Sequence, residues 1–431
     1  MDLNIVSTSI GLVTLVPILF CFFMFSKSLP LGALSLPCLT MMTTFVYFYA
    51  MPIISLSQGN NELWGMYLTN LEWAHLAVLL YALGASAAFI ANEKYLLINP
   101  AKPKPYERSW NKYVFAGLWA LAISLLIIQI SLGKLNIAGD DSYRFEADSV
   151  GELAFLTVGY NMMVPLTLLI VIRDDFKIRS LVFLALVLLI FMQIGFRFRI
   201  LITLCAVVSS YALVRKIKIN AIYAFLGSVA GIYIVNLIGA IRRYGQGIDL
   251  SRLDDVSADK MLSSFGGEFG IVFTLQYTAA NPLPAPAYFE PWTVALARLI
   301  PSAIWPNKPT AEYLRNFILG FPIDNADKTG IAAPQQVEML LQFGWVGLPF
   351  LAVLYFGIAT FLVFQLNQLS REARIAGCSL VPAFFGYYMQ TRGYFFQILA
   401  DGIFFFLPLF LVHYGVKETS RARTTKPSNR L

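Results

Sequence analysis

Long apolar runs separated by short polar loops recur along the chain. An α-helix needs about 20 predominantly apolar residues to cross a hydrocarbon layer of about 30 Å. The runs predict spans over 3–25, 31–57, 71–92, 113–132, 153–172, 181–196, 200–214, 221–241, 346–366, 376–391 and 395–415, about eleven helices. Prolines such as Pro17, Pro52, Pro165, Pro349 and Pro408 fall inside them, which membrane helices tolerate. The alternating ten-residue segments of a membrane β-barrel are not the pattern here. The expected fold class is an all-α polytopic membrane protein. Its expected parts are a bundle of about eight spans (1–241), a large outer loop (242–345), about three further spans (346–415) and a basic tail (416–431).

One run poses a question. "LIFMQIGFRFRILITLCAVV" sets Arg197 and Arg199 in the middle of apolar sequence. As one helix, 181–214 would be about 50 Å long, far more than a bilayer needs. The charge of the short loops decides between one helix and two. Loops 26–30, 93–112, 173–180, 215–220, 367–375 and the tail 416–431 hold 19 of the 32 Lys and Arg but only 6 of the 25 Asp and Glu. Such loops face the cytoplasm. A single 181–214 helix would send the later basic loops outward, so the run is expected to be a hairpin with "RFR" at its outer tip. "TRG" around Arg392 is expected to turn the chain in the same way. The N-terminus is then outside and the tail cytoplasmic, as a disordered basic end. No basic stretch precedes the first run, so it is expected to be retained as a span.

Composition fits this picture. The chain is 58% hydrophobic and 13% charged, against about 25% charged in a soluble domain. The loops account for the net charge of +7, so no nucleic-acid partner is implied. Cys21, Cys38, Cys205 and Cys378 lie in apolar runs without metal-type spacing, and no disulfide is expected. His75 and His413 are expected to be core histidines. Walker, Rossmann, G-x-S-x-G and H-E-x-x-H patterns are absent. No metal or cofactor is expected.

The outer loop is patterned rather than structureless. "SADKMLSSFGGEFGIVFTLQYTA", "PWTVALARLIPSAIW" and "APQQVEMLLQFG" read as short helices, the last starting near Pro334 and ending before Gly344. They are too apolar for open water and are expected to lie in the interface or re-enter the membrane. Nine arginines fall on this side: Arg144, Arg197, Arg199, Arg242, Arg243, Arg252, Arg298, Arg315 and Arg392. Guanidinium is a planar fork suited to phosphate oxygens. Span-end arginines also snorkel to headgroups or pair structurally, and for any one of them taken alone that plain reading stands beside the functional one. A tight outer turn has little need of two cations, which favours function for "RFR". Glu268, Glu338 and Asp401 are the outer carboxylates in apolar settings. Each is a candidate base or half of an ion pair, and Asp401 is the best placed to pair within the bundle.

Four segments resemble the Wzy-type O-antigen or capsular oligosaccharide repeat-unit polymerases: "GFRFRILI", "IRRYGQG", "LIPSAIWPNKP" and "PQQVEMLLQFGWVGLPF". The resemblance implies a GT-C-type integral-membrane glycosyltransferase of a bacterial inner membrane, acting at the periplasmic face without metal. Its donor would be a growing glycan on undecaprenyl pyrophosphate, and its acceptor the terminal sugar of a new lipid-linked repeat unit. Arg197, Arg199, Arg242, Arg243 and Arg392 would neutralise the departing pyrophosphate. Glu268 or Glu338 would take the acceptor proton. Lys308 and Arg315 would bind a second pyrophosphate or the glycan, with Arg144 a further substrate-side candidate. A chain-length regulator is a conceivable partner. Phe196 stands where the family often has a small residue before the arginine, so either Arg197 or Arg199 fills the motif position. The rival readings are a lipid-linked oligosaccharide flippase or other transporter, and an O-antigen ligase. A ligase usually carries an outer-loop histidine, which this chain lacks.

Overall fold

The computed structural model describes residues 5–50, 52–53, 62–63, 66–67, 71–97, 112–131, 156–194, 197–224, 226–227, 230–231, 237, 242–243, 247–248, 271–281, 286–300, 304–309, 333–391 and 395–424. They form a helical bundle. Two antiparallel ladders, Glu62–Leu63 with Met66–Tyr67 and Arg242–Arg243 with Gly247–Ile248, interrupt it. Among the described residues, four helical stretches are long and apolar enough to cross a membrane: Gly11–Ser28, Leu71–Ala91, Phe198–Arg215 and Gln335–Leu366. Leu12, Val16, Phe20 and Phe23 in the first, and Val346, Phe350 and Phe361 in the last, point outward. Apolar side chains on both the buried and the exposed faces suit lipid rather than water. The chain is an α-helical membrane protein.

We label the helices in chain order. They are α1 (Ile5–Ser28), α2 (Leu36–Phe45, continuing as a π turn through Ala50), α3 (Leu71–Ala91), α4 (Lys112–Ser131) and α5 (Met163–Arg173). A 3₁₀ segment, Leu156–Met162, leads into α5. Next come α6 (Ile178–Ile194), α7 (Arg197–Arg215), α8 (Ile271–Ala280) and α9 (Glu290–Arg298). Last are α10 (Gln335–Leu366), α11 (Arg371–Val381, carried by a π turn and Met389–Thr391) and α12 (Phe395–Thr424). The last helix runs through Thr424, well past the expected end at 415. The first part of the tail is therefore helical, where a disordered end was expected.

The 181–214 run is two helices that reverse on each other. Phe176, before α6, packs edge-on against Tyr211 near the end of α7 at 5.2 Å. Arg215 lies 3.2 Å from Asp175. Helix α6 ends at Ile194 and α7 begins at Arg197. A second hairpin joins α11 and α12. The Ser370 amide donates to His413 Nδ1 at 3.0 Å, the Phe384 and Phe405 rings meet at 5.4 Å, and the Tyr388 hydroxyl donates to Asp401.

Helices α3 and α10 run parallel, with ring contacts Trp73–Trp345, Phe89–Phe356 and Tyr95–Phe364 at 5.7, 4.9 and 5.1 Å. Gly84 allows their approach: a Cβ there would lie 2.3 Å from the Pro349 carbonyl oxygen. Small residues at membrane-helix interfaces serve this end.

Helix α10 is broken. Phe343 (φ −135°, ψ 16°) and Gly344 (φ 63°, ψ −153°) leave helical geometry, and the second conformation is open essentially to glycine alone. The part before the break re-enters the bundle. Gln335 accepts a 3.1 Å hydrogen bond from Tyr81, about 15 Å along α3 from its start. Eight residues later the chain turns beside Trp73. The end of this short segment would leave carbonyls unpaired. The amides of Ala287 and Tyr288 donate to Leu341 and Gln342 at 2.7 and 2.9 Å and satisfy two of them.

The basic loops gather at one end, called the inner end below. Lys218 donates to the Lys27 carbonyl at 2.8 Å, Gly32 bridges to Ile219, and Asn367 donates to the Leu97 carbonyl at 3.4 Å.

Candidate functional site

Three elements start or finish at the opposite end and hold one buried polar network. Arg199 sits in the first turn of α7, Asn161 in the 3₁₀ segment before α5, and Asp401 in α12. Arg199 Nε donates to Asn161 Oδ1. Asn161 Nδ2 donates to Asp401 Oδ1 at 2.7 Å. The Tyr388 hydroxyl donates to Asp401 Oδ2. Arg199 is 2% exposed, and Asn161 and Asp401 are fully buried. The guanidinium lies 4.6 Å from the Tyr160 ring and 4.5 Å from the Phe198 ring, and Phe198 stacks on Tyr388 at 4.5 Å. Cation–π contacts gain strength when desolvated, and guanidinium is the cation that tolerates such settings.

Arg199, expected at the outer tip of the hairpin, lies in the first turn of α7 and is buried, with Asn161 and two aromatic rings as its partners. Asp401 follows the structural reading given to it.

A second polar cluster lies close by. Glu338, on the re-entrant part of α10, is 3% exposed. Its carboxylate accepts the Phe395 amide at 2.7 Å. Phe395 is the first residue of α12, and a carboxylate there meets unpaired N–H groups and the positive end of the helix dipole. Asp401 lies six residues further along α12, about 9 Å along the axis. Both clusters therefore rest on one helix start. Trp292 Nε1 donates to Gln342 at 3.0 Å. Its ring lies 4.2 Å from Phe395, with Tyr355 against both. Gln335, Gln336 and Gln342 are buried on the same short segment. Neither amide atom of Gln336 bonds to a described residue. The re-entrant segment thus brings a carboxylate and carboxamides among aromatic rings.

The remaining candidates fall as follows. Arg197 is placed as the first residue of α7. Arg242 and Arg243 form one side of a two-residue ladder, which packs on α6, the helix leading to Arg197. The Lys308 ammonium donates to the Ile300 carbonyl at 3.0 Å, a local turn contact. Arg144, Glu268, Arg315 and Arg392 lie outside the described residues. The structure thus brings Arg199, Asp401 and Glu338 into one end of the bundle.

The histidines sit within the bundle, His75 stacked on Tyr49 at 4.8 Å and His413 accepting from Ser370. The cysteines are free thiols. No group of His, Cys, Asp and Glu suited to a metal occurs among the described residues. Sequence reasoning passed over Asn161, Tyr160 and Tyr388. The available signal was Asn161 in "TVGYNMMVP", an amide placed where a span would otherwise be apolar.

Comparison of the chain with protein-family models, with curated proteins and with solved structures finds no match.

Proposed function

We propose that this protein is an eleven-span, GT-C-like glycosyltransferase that polymerises lipid-linked oligosaccharide repeat units at the outer face of a bacterial inner membrane. The observation that carries the reading is Arg199, a cation fixed within the bundle at the end opposite the basic loops, with Glu338 near by. In this reading the glycan on undecaprenyl pyrophosphate is the donor. The acceptor hydroxyl of a new repeat unit attacks its anomeric carbon, the bond to the pyrophosphate breaks, and the carboxylate of Glu338 or Glu268 takes the hydroxyl proton. Charge develops on the departing pyrophosphate. Arginines held before the reaction stabilise it without reorganising; Arg197, Arg199, Arg242, Arg243 and Arg392 are the candidates. Lys308, Arg315 and Arg144 serve the glycan or a second lipid-linked substrate. The N-terminus faces the periplasm and the tail the cytoplasm.

The test replaces Arg197 and Arg199 with alanine, singly and together, and Arg199 with lysine. Surface polysaccharide is resolved on gels at matched protein levels and matched melting temperature. Loss of the ladder with a single repeat unit retained is the expected result. A full ladder in the double variant overturns the arginine clamp. Buried charge in Arg199 and Asp401 supports a second reading as a transporter of lipid-linked oligosaccharide, since ionisable groups inside a membrane bundle mark transport pathways. Reconstituted vesicles separate the two, through polymer formation or lipid translocation.

A further inference from the structure

Helix α9 has an outer face that is not built for water. Phe289, Thr293, Leu296 and Ile300 recur at intervals of four, three and four, which sets them on one helical stripe. The amides of Leu299 and Ile300 bond back to Leu296 and Ala297, so the turn continues past Arg298. The stripe is exposed, with Phe289 65% and Leu296 60% accessible. Pro291, Val294 and Ala295 are buried on the other side. In the turn after the helix, Ile304 and Trp305 are exposed as well. From Pro291 to Pro306 the only charged residue is Arg298. A helix that meets water carries polar and charged side chains on its outer face; this one carries a single hydroxyl among large apolar groups.

Its level in the molecule says what that face meets. Helices α3 and α10 reach the inner end at Leu97 and Asn367. Trp73 and Trp345, in contact near the other end of this pair, therefore mark the opposite boundary, and tryptophan is enriched where membrane meets water. Tyr288 and Phe289 pack edge-on against Phe343, two residues before Trp345, at 5.9 and 5.2 Å. Trp292 rests on Phe395, where α12 begins. Helix α9 thus lies at the level where α3 and α12 start and α10 breaks. Just past that break, Val346 and Phe350 point outward from a membrane-spanning stretch. Phe343 joins the stripe of α9 to this lipid-facing surface. At nine residues, or about 14 Å, α9 is far too short to cross the hydrocarbon layer.

We propose that α9 and the turn after it form an interfacial membrane anchor, with Phe289, Leu296, Ile300, Ile304 and Trp305 set into the acyl–headgroup boundary of the leaflet at the end opposite the basic loops. Helices of this kind bind by burying apolar area in the interface. In this stretch the chain lies along the surface rather than re-entering the membrane. Trp292, on the flank of the stripe, donates to Gln342, so the anchor also ties the polar cluster around Glu338 to the membrane surface. The placement does not depend on the reaction proposed above.

The experiment uses the full chain in liposomes of phosphatidylcholine and phosphatidylglycerol. Leu296→Cys, Phe350→Cys and Arg179→Cys each carry a nitroxide, and wild type treated in the same way gives the background of the native thiols. Electron paramagnetic resonance reads collision with oxygen, which concentrates in the bilayer, and with a water-soluble nickel chelate. Phe350 is the lipid reference, about 8 Å further along α10 than Trp345. Arg179, exposed in the loop between α5 and α6, is the water reference. The label at Leu296 should show an oxygen-to-chelate collision ratio several-fold above that at Arg179, at a depth shallower than Phe350. A ratio equal to that at Arg179 places the stripe in water and overturns the proposal. A depth equal to or beyond that of Phe350 overturns it in favour of re-entry. Shielding from both reagents also overturns it, and spin–spin broadening in that case assigns the face to a second copy of the chain. If Leu296→Cys fails to accumulate, Ile304→Cys takes its place with the same expected and overturning results.

Discussion

Arg199 and Asp401 are joined through one side chain: Asn161 accepts from the guanidinium and donates to the carboxylate. The three come from α7, the 3₁₀ segment leading into α5, and α12, so the network ties three elements together. Removing one member of a buried charged network leaves the others desolvated and unsatisfied. Asp401→Ala and Asn161→Leu should each cost about 3–5 kcal/mol, read as a lower melting temperature in detergent. Asp401→Asn keeps an acceptor for Tyr388 and should cost less. Equal stability for Asp401→Ala and wild type would mean the network contributes nothing to the fold.

The meeting of α3 and α10 depends on Gly84, and the break in α10 on Gly344. A Cβ at position 84 would meet Pro349 backbone at 2.3 Å, whereas one at Gly117 would meet nothing within 4 Å. Gly84→Ala should therefore destabilise by about 1–3 kcal/mol through overpacking. Gly344→Ala should do the same through strain, at about 1–3 kcal/mol. Gly117→Ala, inside α4, should be neutral or slightly stabilising, since alanine favours helix over glycine. Thermal melts of the three variants side by side check the order.

Acid sensitivity has one legible contributor outside the spans. Arg179 holds the Asp174 carboxyl below its ordinary range by a direct hydrogen bond. A depressed carboxylate contributes stability above the unfolded-chain value of about 4, and that contribution disappears as pH falls through the lowered folded value. The pair is exposed at the loop between α5 and α6, so its effect is small. Asp174→Asn should melt slightly below wild type at neutral pH, and the two should converge under strongly acidic conditions. A gap that persists there would point to packing rather than charge.

Sequence alone located the hairpins because charge and length are local quantities. The run 181–214 is too long for one span, and the basic residues after it need a reversal; Arg215 beside Asp175 is that reversal. The same pattern located the break at Phe343–Gly344, since glycine after a helical stretch ends it. Depth was not legible. Whether Arg199 faces headgroups or protein depends on what α5 and α12 bring to it, and Asn161 lies 38 residues away in the chain. Glu338 was legible as an unusual carboxylate but not as the group that meets the start of α12, because its partner is a backbone amide with no side-chain signature.

Glu338 therefore has two candidate roles that one pair of substitutions separates. As a structural group it accepts the Phe395 amide at 2.7 Å. Glutamine keeps an oxygen at that place, so Glu338→Gln should retain most of the fold, while Glu338→Ala loses the acceptor and should cost about 1–2 kcal/mol, as lost helix caps do. As a base it needs its negative charge, which glutamine lacks. A variant that melts like wild type yet makes no polysaccharide ladder would identify Glu338 as the proton acceptor of the proposed reaction. A variant that melts like wild type and makes the full ladder would confine Glu338 to holding α12, and Glu268→Gln would then be the decisive measurement for the base.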